Sequence, residues 1–320
     1  MRGRGWVLAI GVGASLLTVF PAFADDYMLT VLRDALIFGL FAVSLDFFWG
    51  STGILSFGHA TFFGLGGYVM ALVSMAHGMP APTVLGLAAA VGAPAALAMI
   101  VGYFLFFGGV RGSYFTIVTL ALSVIAQQVV ISWSSVTGGD TGLLGVPSLA
   151  FGGHEISGNL ATYGVASVTL VVVLLGFRTI LQSRWGKILT AIGDNEIRAA
   201  ALGHNAPARL TFTFVISAAV AGLAGALYVA MAGVVAPDLI GLLLSTEAIV
   251  WVAVGGRGTL IGSVAGAVLV QRAQQEISSM NPSLWPLILG CMFVIIVFVL
   301  PDGFVSIAER SRALFKRRPA

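Results

Sequence analysis

The chain has 320 residues, of which 58% are hydrophobic and only 9% charged, and its mean hydropathy of +1.01 excludes an ordinary soluble domain. A net charge of +3 is too small to indicate nucleic-acid binding, and the single cysteine, Cys291, excludes a disulfide framework and a cysteine-based metal site. Apolar runs of about 20 residues therefore predict an all-α, polytopic transmembrane helical bundle, because a backbone in lipid must satisfy its own hydrogen bonds.

About ten membrane segments are predicted, including short or broken helices, within a single transmembrane domain over residues 1–320. The eighth and ninth are short and separated by Gly255-Gly256-Arg257-Gly258, so they are also compatible with one broken or re-entrant element. The approximate cores are residues 6–24, 29–49, 56–76, 84–107, 114–133, 161–181, 211–233, 242–255, 259–271 and 284–300.

Positive charge predicts the orientation of these segments, since Lys and Arg concentrate in cytoplasmic loops. Basic residues precede the first segment, occur at Arg111, fill the connection 182–210 and end the chain at 308–320. With ten spans all four regions lie on one side, so both termini are predicted to be cytoplasmic, with 308–320 as a basic tail. Residues 22–24, Ala-Phe-Ala, also resemble a signal-peptide cleavage site, whose use would leave nine spans.

Ionisable side chains inside apolar segments usually face protein or water, because a charge in lipid is costly. Arg33 and Asp34 are predicted to snorkel to the outer interface. Asp46 is a candidate either to cap the turn at Gly50–Gly53 or to line a passage, and Glu247 is assigned to a polar interior. The candidate residues of a translocation pathway are Asp46, His59, Thr116, Thr119 and Glu247.

Two glycine-rich junctions share the pattern G-x-x-G-x-L, one from Gly50 to Leu55 and one from Gly255 to Leu260. Glycine lets the backbone turn tightly and lets helices approach closely, so helix packing is the default interpretation. The shared pattern is also compatible with a duplication. The candidate junction residues are Gly50, Gly53, Gly58, Gly255, Gly256 and Gly258.

The segment 191–205, AIGDNEIRAAALGHN, is unusually charged for this chain. Asp194 is predicted to cap a helix beginning at Asn195 and to be able to pair with Arg198, while Glu196 complements the positive helix end. Gly203 suits the left-handed residue that follows a helix.

One small apolar face is predicted on this two-turn helix, formed by Ile197, Ala200 and Ala201. A helix this short is not stable alone in water. It therefore needs a surface to dock against, which is either its own protein or a partner.

Several kinds of chemistry are missing from the sequence. Gly186-Lys187 is followed by Ile188, so no phosphate-binding G-x-x-x-x-G-K-[ST] loop is formed there. Neither G-x-S-x-G nor H-E-x-x-H occurs, and the four histidines lack the spacing of metal ligands. No catalytic residue, metal site or bound cofactor is predicted for this chain.

Five stretches in this order and spacing resemble the LivM-type permease subunits of branched-chain amino-acid ABC importers, over about residues 28–304. The resemblance implies a multi-pass protein of the bacterial inner membrane, paired with a homologous second permease. It also implies two cytoplasmic ATPase subunits, which use ATP and Mg, and a periplasmic substrate-binding protein. The stretches are 53–60 with 62–64 and 67–68, 113–121, 137–143, 191–205 and 255–260.

The resemblance also implies a role for the charged segment. Glu196, Ala199, Ala200 and Gly203 match the E-x-x-A-A-x-x-G pattern by which ABC permeases fit a groove on their ATPase. Residues 182–210 are then a cytoplasmic coupling loop that switches the permease by alternating access. The implied ATPase-coupling residues are Asp194, Glu196, Ile197, Arg198, Ala199, Ala200, Ala201 and Gly203.

The substrate implied is a branched-chain or other hydrophobic amino acid. The same family includes permeases for urea and short amides, and the stretch Trp251–Leu260 is at least as similar to that branch. Asp46 stands where a neutral polar residue is expected in the amino-acid branch. An ATP-independent secondary transporter is a second alternative, although the acids do not form a chain with a partner base.

Overall fold

The computed structural model describes residues 21, 25–76, 82–151, 154–280 and 284–299. Most of the first predicted segment, the cleavage-like residues 22–24 and the basic tail 308–320 lie outside them. The helices of the described residues are α1 (Asp26–Thr52), α2 (His59–Met75), α3 (Pro82–Phe107), α4 (Ser113–Ser132), α5 (Ser134–Thr137), α6 (Asn159–Gln182), α7 (Arg184–Asp194), α8 (Glu196–Ala201), α9 (Ala206–Ala232), α10 (Leu242–Gly255), α11 (Ile261–Met280) and α12 (Leu284–Val299).

These helices confirm the all-α bundle and make the chain a multi-pass membrane protein. Five of them, α1, α3, α4, α6 and α9, are long and apolar enough to cross a membrane. Two shorter apolar helices accompany them, α2 with 17 residues and α10 with 14. At 1.5 Å per residue α10 is about 21 Å long, which is less than the ~30 Å hydrocarbon core of a bilayer. The count of ten spans stays a prediction.

The ninth predicted segment was placed correctly at its start but not at its end. It was expected to stop at residue 271, whereas α11 continues to Met280. Residues 271–276, Gln-Arg-Ala-Gln-Gln-Glu, have the hydropathy of a loop. Gln, Arg, Ala and Glu are good helix formers, so the helix continues although its sequence is no longer apolar, and several of these side chains line a polar cavity.

The centre of the bundle is formed by α1 and α9. In the most apolar window of α1, 72% of the residues are buried, and in α9 61%, compared with 17% in α4. Helix α9 packs against α3, α2 and α1, and α1 also packs against α6 and α11. Aromatic rings fill the contacts, for example Phe48 and Phe214 with centroids 5.1 Å apart. The described residues leave apolar faces of α3 and α4 exposed.

The loop between α5 and α6 is tied to the loop between α9 and α10. Strand β1 (Leu143–Leu144) pairs antiparallel with β4 (Val234–Val235), with Leu143 opposite Val235. Strand β2 (Ala150–Phe151) pairs with β3 (His154–Glu155). A 3-10 turn, Pro237–Leu239, follows β4. These two-residue strands leave the fold class unchanged, but they hold the loops at this end of the bundle together.

Most of the connection 182–210 folds into α7, α8 and the start of α9, so the short helix predicted within it is preceded by a second one. Ser183 caps α7 with its hydroxyl, which accepts from the backbone N–H of Trp185 at 3.1 Å. Helix α7 buries Gly186, Leu189 and Ile192 at helical spacing and exposes its basic side chains. It thus supplies a packed base on which the shorter α8 is mounted.

Candidate functional site

The cap of α8 is Asn195 and not Asp194. Helix α7 continues through Asp194, and Asn195 adopts an extended conformation with φ −161° between the two helices. Its side-chain Oδ1 accepts from the N–H of Arg198 at 2.8 Å. The expected pair between Asp194 and Arg198 is not formed among the described contacts. The prediction failed because α7 could not be recognised as a separate helix that uses Asp194 as its last residue.

The end of α8 has the predicted left-handed glycine. Gly203 has φ +84°, a conformation that side chains with a Cβ rarely adopt. Its N–H donates to the carbonyl of Ala200 at 2.9 Å, and the N–H of His204 donates to that of Ala199 at 3.2 Å. These bonds satisfy carbonyls that the helix end would otherwise leave free, so α8 has a defined stop.

The predicted apolar face of α8 points away from the bundle. Ile197 is 84% exposed, Ala200 and Ala201 are exposed, and the following Leu202 is 75% exposed. Ala199 lies on the opposite side and is 2% exposed, packed in the core of the bundle. Helix α8 therefore rests on its own protein through Ala199 and presents a separate apolar face that the residues described by the structure do not cover.

The acidic residue at the start of α8 is held by the connection between α3 and α4. Both oxygens of Glu196 accept from Arg111, from Nε at 2.6 Å and from Nη2 at 2.7 Å. Arg111 also donates through Nη1 to the carbonyl of Phe106 at 2.8 Å, which fixes the guanidinium at the end of α3. From the sequence, Arg111 contributes only to the predicted orientation of the membrane segments, because no local pattern connects it with Glu196.

Two threonines join α4 to the connection between α1 and α2. Thr116 donates from Oγ1 to the carbonyl of Leu55 at 3.0 Å, and Thr119 accepts from the N–H of Phe57 at 3.2 Å. The backbone carbonyl of Thr119 also lies against Gly58, where a Cβ would collide with it. Thr119 is fully buried. Both threonines thus hold this connection in place, and their placement along a passage stays a prediction.

Asp46 bridges α1 to the junction between α10 and α11. Its Oδ1 accepts from the N–H of Gly258 at 2.6 Å, and its Oδ2 accepts from the N–H of Leu260 at 2.8 Å. Among the described hydrogen bonds the carboxylate does not cap the Gly50–Gly53 turn, which was one of its two predicted roles, and it is 1% exposed. Leu260 has φ +55°, and the bond from its N–H to Asp46 helps to hold this strained conformation.

The two G-x-x-G-x-L junctions, which are far apart in sequence, touch each other. A Cβ on Gly50 would lie 2.6 Å from the Cα of Gly258, so only glycine at position 50 allows this approach. The guanidinium carbon of Arg257 lies 5.2 Å from the centre of the Trp49 ring, which adds a cation–π contact. The predicted junction residues end or begin helices as follows: Gly53 ends α1, Gly58 begins α2, and Gly255 and Gly256 end α10.

His59 lies in the core of the bundle, and its predicted place along a passage stays a prediction. It is fully buried at the start of α2, with Nε2 3.0 Å from the hydroxyl of Ser44 and 3.3 Å from that of Ser217. Its ring stacks on Phe41 with centroids 5.6 Å apart. Because Ser44, His59 and Ser217 lie on α1, α2 and α9, this polar cluster connects three helices of the bundle.

Glu247 is the pathway candidate that borders a polar cavity of about 430 Å³ between α1, α9, α10 and α11. It is 5% exposed, and its Oε1 accepts from Nε1 of Trp285 at 2.8 Å and from Nε2 of Gln274 at 3.4 Å. Asp34 lines the same cavity and pairs with Arg33 at 2.7 Å. Arg33 is 8% exposed, so its side chain is packed in protein and does not extend to the interface as expected, whereas the side chain of Asp34 is 30% exposed.

Comparisons with known proteins show the family to which the chain is similar. A family described as "Branched-chain amino acid transport system / permease component" matches residues 27–297. The high-affinity branched-chain amino acid transport system permease protein LivM of Salmonella typhimurium is 28% identical, over 92% of this chain and 73% of the relative; LivM of Escherichia coli K12 is 27% identical over the same shares. LivH of Salmonella typhimurium is 25% identical, over 85% of this chain and 92% of the relative. No solved structure matches.

Proposed function

The chain belongs to the family of permease components of branched-chain amino-acid transport systems, and from this membership we propose that it is a transmembrane subunit of an ATP-binding-cassette importer. It moves branched-chain or other hydrophobic amino acids across the bacterial inner membrane by alternating access. Two separate ATPase subunits supply the work with ATP and Mg, a homologous permease completes the passage, and a periplasmic binding protein delivers the solute. Both termini of this chain are cytoplasmic.

The observation that carries this proposal is the exposed apolar face of α8. A helix of six residues presents Ile197, Ala200 and Ala201 outward while Ala199 anchors it inward. Small side chains allow a partner surface to approach closely, and the charged residues beside them set its register. We propose that a groove of the ATPase covers this face, so residues 182–210 form the coupling element.

The contacts around α8 support a route for the motion. Glu196 is held by Arg111 at the start of the segment that leads into α4, and α4 holds the connection between α1 and α2 through Thr116 and Thr119. A displacement of α8 is therefore transmitted to α4 and from there to the ends of α1 and α2. We propose that closure of the ATPases moves these elements together and switches the access of the passage.

The urea and short-amide permeases remain the second candidate. Asp46 supports this second candidate, because an acid stands where a neutral polar residue is expected in the amino-acid branch. In the structure this acid serves the Gly258–Leu260 turn. Uptake measurements with labelled leucine and labelled urea in proteoliposomes that hold the complete importer distinguish the two. Uptake by this chain without ATPases would instead support a secondary transporter.

Ala200→Trp tests the coupling role. The side chain of Ala200 is exposed, so the larger residue is accommodated in the free chain, and we expect the variant to assemble but to lose ATP hydrolysis stimulated by the loaded binding protein. Gly176→Ala in α6, outside the coupling element, is the control and should retain stimulation, because a Cβ at this position meets no neighbour within 4 Å. Gly203→Pro is less suitable as a test variant, because proline cannot adopt the φ of +84° at this position. It would also remove the N–H that donates to the carbonyl of Ala200. Normal stimulation in Ala200→Trp would refute the docking role of this face.

A further inference from the structure

The polar cavity beside Glu247 has two chemically different walls. Phe38, Leu239 and Leu243 form an apolar side, while Asp34, Asp238, Glu247 and Gln271 are among the polar residues of the other. It lies next to the Pro237–Leu239 turn, at the end of the bundle where the charge pattern places the outer loops. Its volume of about 430 Å³ is in the range of small-molecule sites, which also combine apolar walls with a few polar groups.

The carboxylates in this wall are not all neutralised. Asp34 pairs with Arg33, but Asp238 and Glu247 have no cationic partner among the described residues. Asp238 is exposed at the cavity, whereas Glu247 is 5% exposed. Both hydrogen bonds that Glu247 receives reach Oε1, and no described contact reaches Oε2. A carboxylate removed from water needs donors or a positive charge in return.

Two neighbouring amides extend this surplus of acceptors. The Oε1 atoms of Gln274 and Gln275, both on α11 in the same wall, are buried without a hydrogen-bond donor among the described residues. Gln274 directs its amide N–H₂ to Glu247, which fixes its oxygen on the other side of the group. The polar wall therefore offers acceptors that are not paired within the chain.

We propose that this cavity binds the transported solute through its N–H donors, with Glu247 and Asp238 as acceptors and the apolar wall around Phe38 and Leu243 receiving its hydrocarbon part. This inference rests on the proposed function, since it assigns a binding site for the solute that the permease moves. The shared chemistry is a nitrogen that carries several hydrogens, which an amino acid supplies as an ammonium group and a urea or short amide supplies as N–H₂ groups. A carboxylate without such a nitrogen is repelled.

Equilibrium binding to the full chain together with its second permease in lipid nanodiscs tests the site. The probes are leucine, isopentylamine and urea, and 4-methylpentanoate serves as the probe that has no N–H donor. The variants are Glu247→Gln, which keeps an oxygen for the Trp285 N–H, and Asp238→Asn at the exposed rim. Glu276→Gln, an exposed acid of α11 outside the cavity lining, is the matched control.

We expect at least one N–H probe to bind the wild type, to weaken about tenfold or more in Glu247→Gln, and to keep its affinity in Glu276→Gln. Unchanged affinity in Glu247→Gln, absence of binding by every N–H probe, or equally tight binding of 4-methylpentanoate would each overturn the inference. Binding of urea without leucine keeps the site and refutes the amino-acid substrate. Leucine uptake by the complete importer with unaltered binding in Glu247→Gln keeps the proposed function and refutes the site.

Discussion

Arg111 and Glu196, 85 positions apart, form a two-pronged ion pair with N–O distances of 2.6 and 2.7 Å, which ties α8 to the connection between α3 and α4. The two side chains are 28% and 31% exposed, so neither is fully removed from solvent. Arg111 is further fixed by the carbonyls of Phe106 and Val110. Helix α8 is therefore held at its first residue by a charged contact and at Ala199 by packing.

Exchanging the two charges tests this link. Arg111→Glu and Glu196→Arg, each alone, place like charges together and should weaken ATP hydrolysis stimulated by the binding protein about fivefold, equivalent to about 1 kcal/mol. The double variant restores the attraction and should recover part of the stimulation. A double variant that is as impaired as the sum of the single changes would show that the pair does not transmit the coupling.

The two faces of α8 are expected to respond differently to substitution. Ile197→Asp changes an exposed residue, so the melting temperature should stay unchanged while the stimulated ATPase activity falls. Ala199→Trp overfills a buried position and should destabilise the chain by about 1–3 kcal/mol. Thermal melting of the purified complex, measured beside ATP hydrolysis, separates the two effects. Loss of stability in Ile197→Asp would place this side chain in the bundle instead.

Gly50→Ala is expected to separate the two junctions. The new methyl group would meet the Cα and N of Gly258 and the Oδ1 of Asp46, all within 3.0 Å, and the two backbone atoms of Gly258 cannot rotate away. We expect a loss of about 1–3 kcal/mol of stability, seen as a lower melting temperature in detergent.

Gly176→Ala is the control for that change, because a Cβ on Gly176 has no neighbour within 4 Å. Within α6 it should leave stability unchanged or raise it by up to about 1 kcal/mol. Equal melting temperatures for Gly50→Ala and the wild type would contradict the close approach of the junctions.

His59→Ala distinguishes a core histidine from a pathway residue. Removing a fully buried ring that contacts Phe41 and two serines should cost about 3 kcal/mol and lower both the melting temperature and the yield of folded protein. His204→Ala in the partly exposed connection after α8 should change neither. A His59→Ala variant with normal stability but altered uptake would support the predicted place of His59 along the passage.

The sequence by itself determined the class of the protein and the positions of most helices. Apolar runs of sufficient length specify helices in lipid, so the predicted core 242–255 coincides with α10 and 84–107 differs from α3 by two residues at its start. The end of α8 before Gly203 was also predictable, because a left-handed glycine after a helix depends on neighbouring residues only. Hydropathy failed at the end of α11, because its second half is polar but still helical and several of its side chains line a cavity.

Only the tertiary structure decided which polar groups meet. Asp46 reaches Gly258 and Leu260, which lie 212 and 214 positions away, and Arg111 reaches Glu196. A buried carboxylate takes the donors that folding brings to it, and hydropathy or spacing along the chain carries no information about them. This is why the sequence identified a charged helix and two glycine-rich junctions, while the fold decided that Arg111 holds that helix and that Asp46 joins α1 to the second junction.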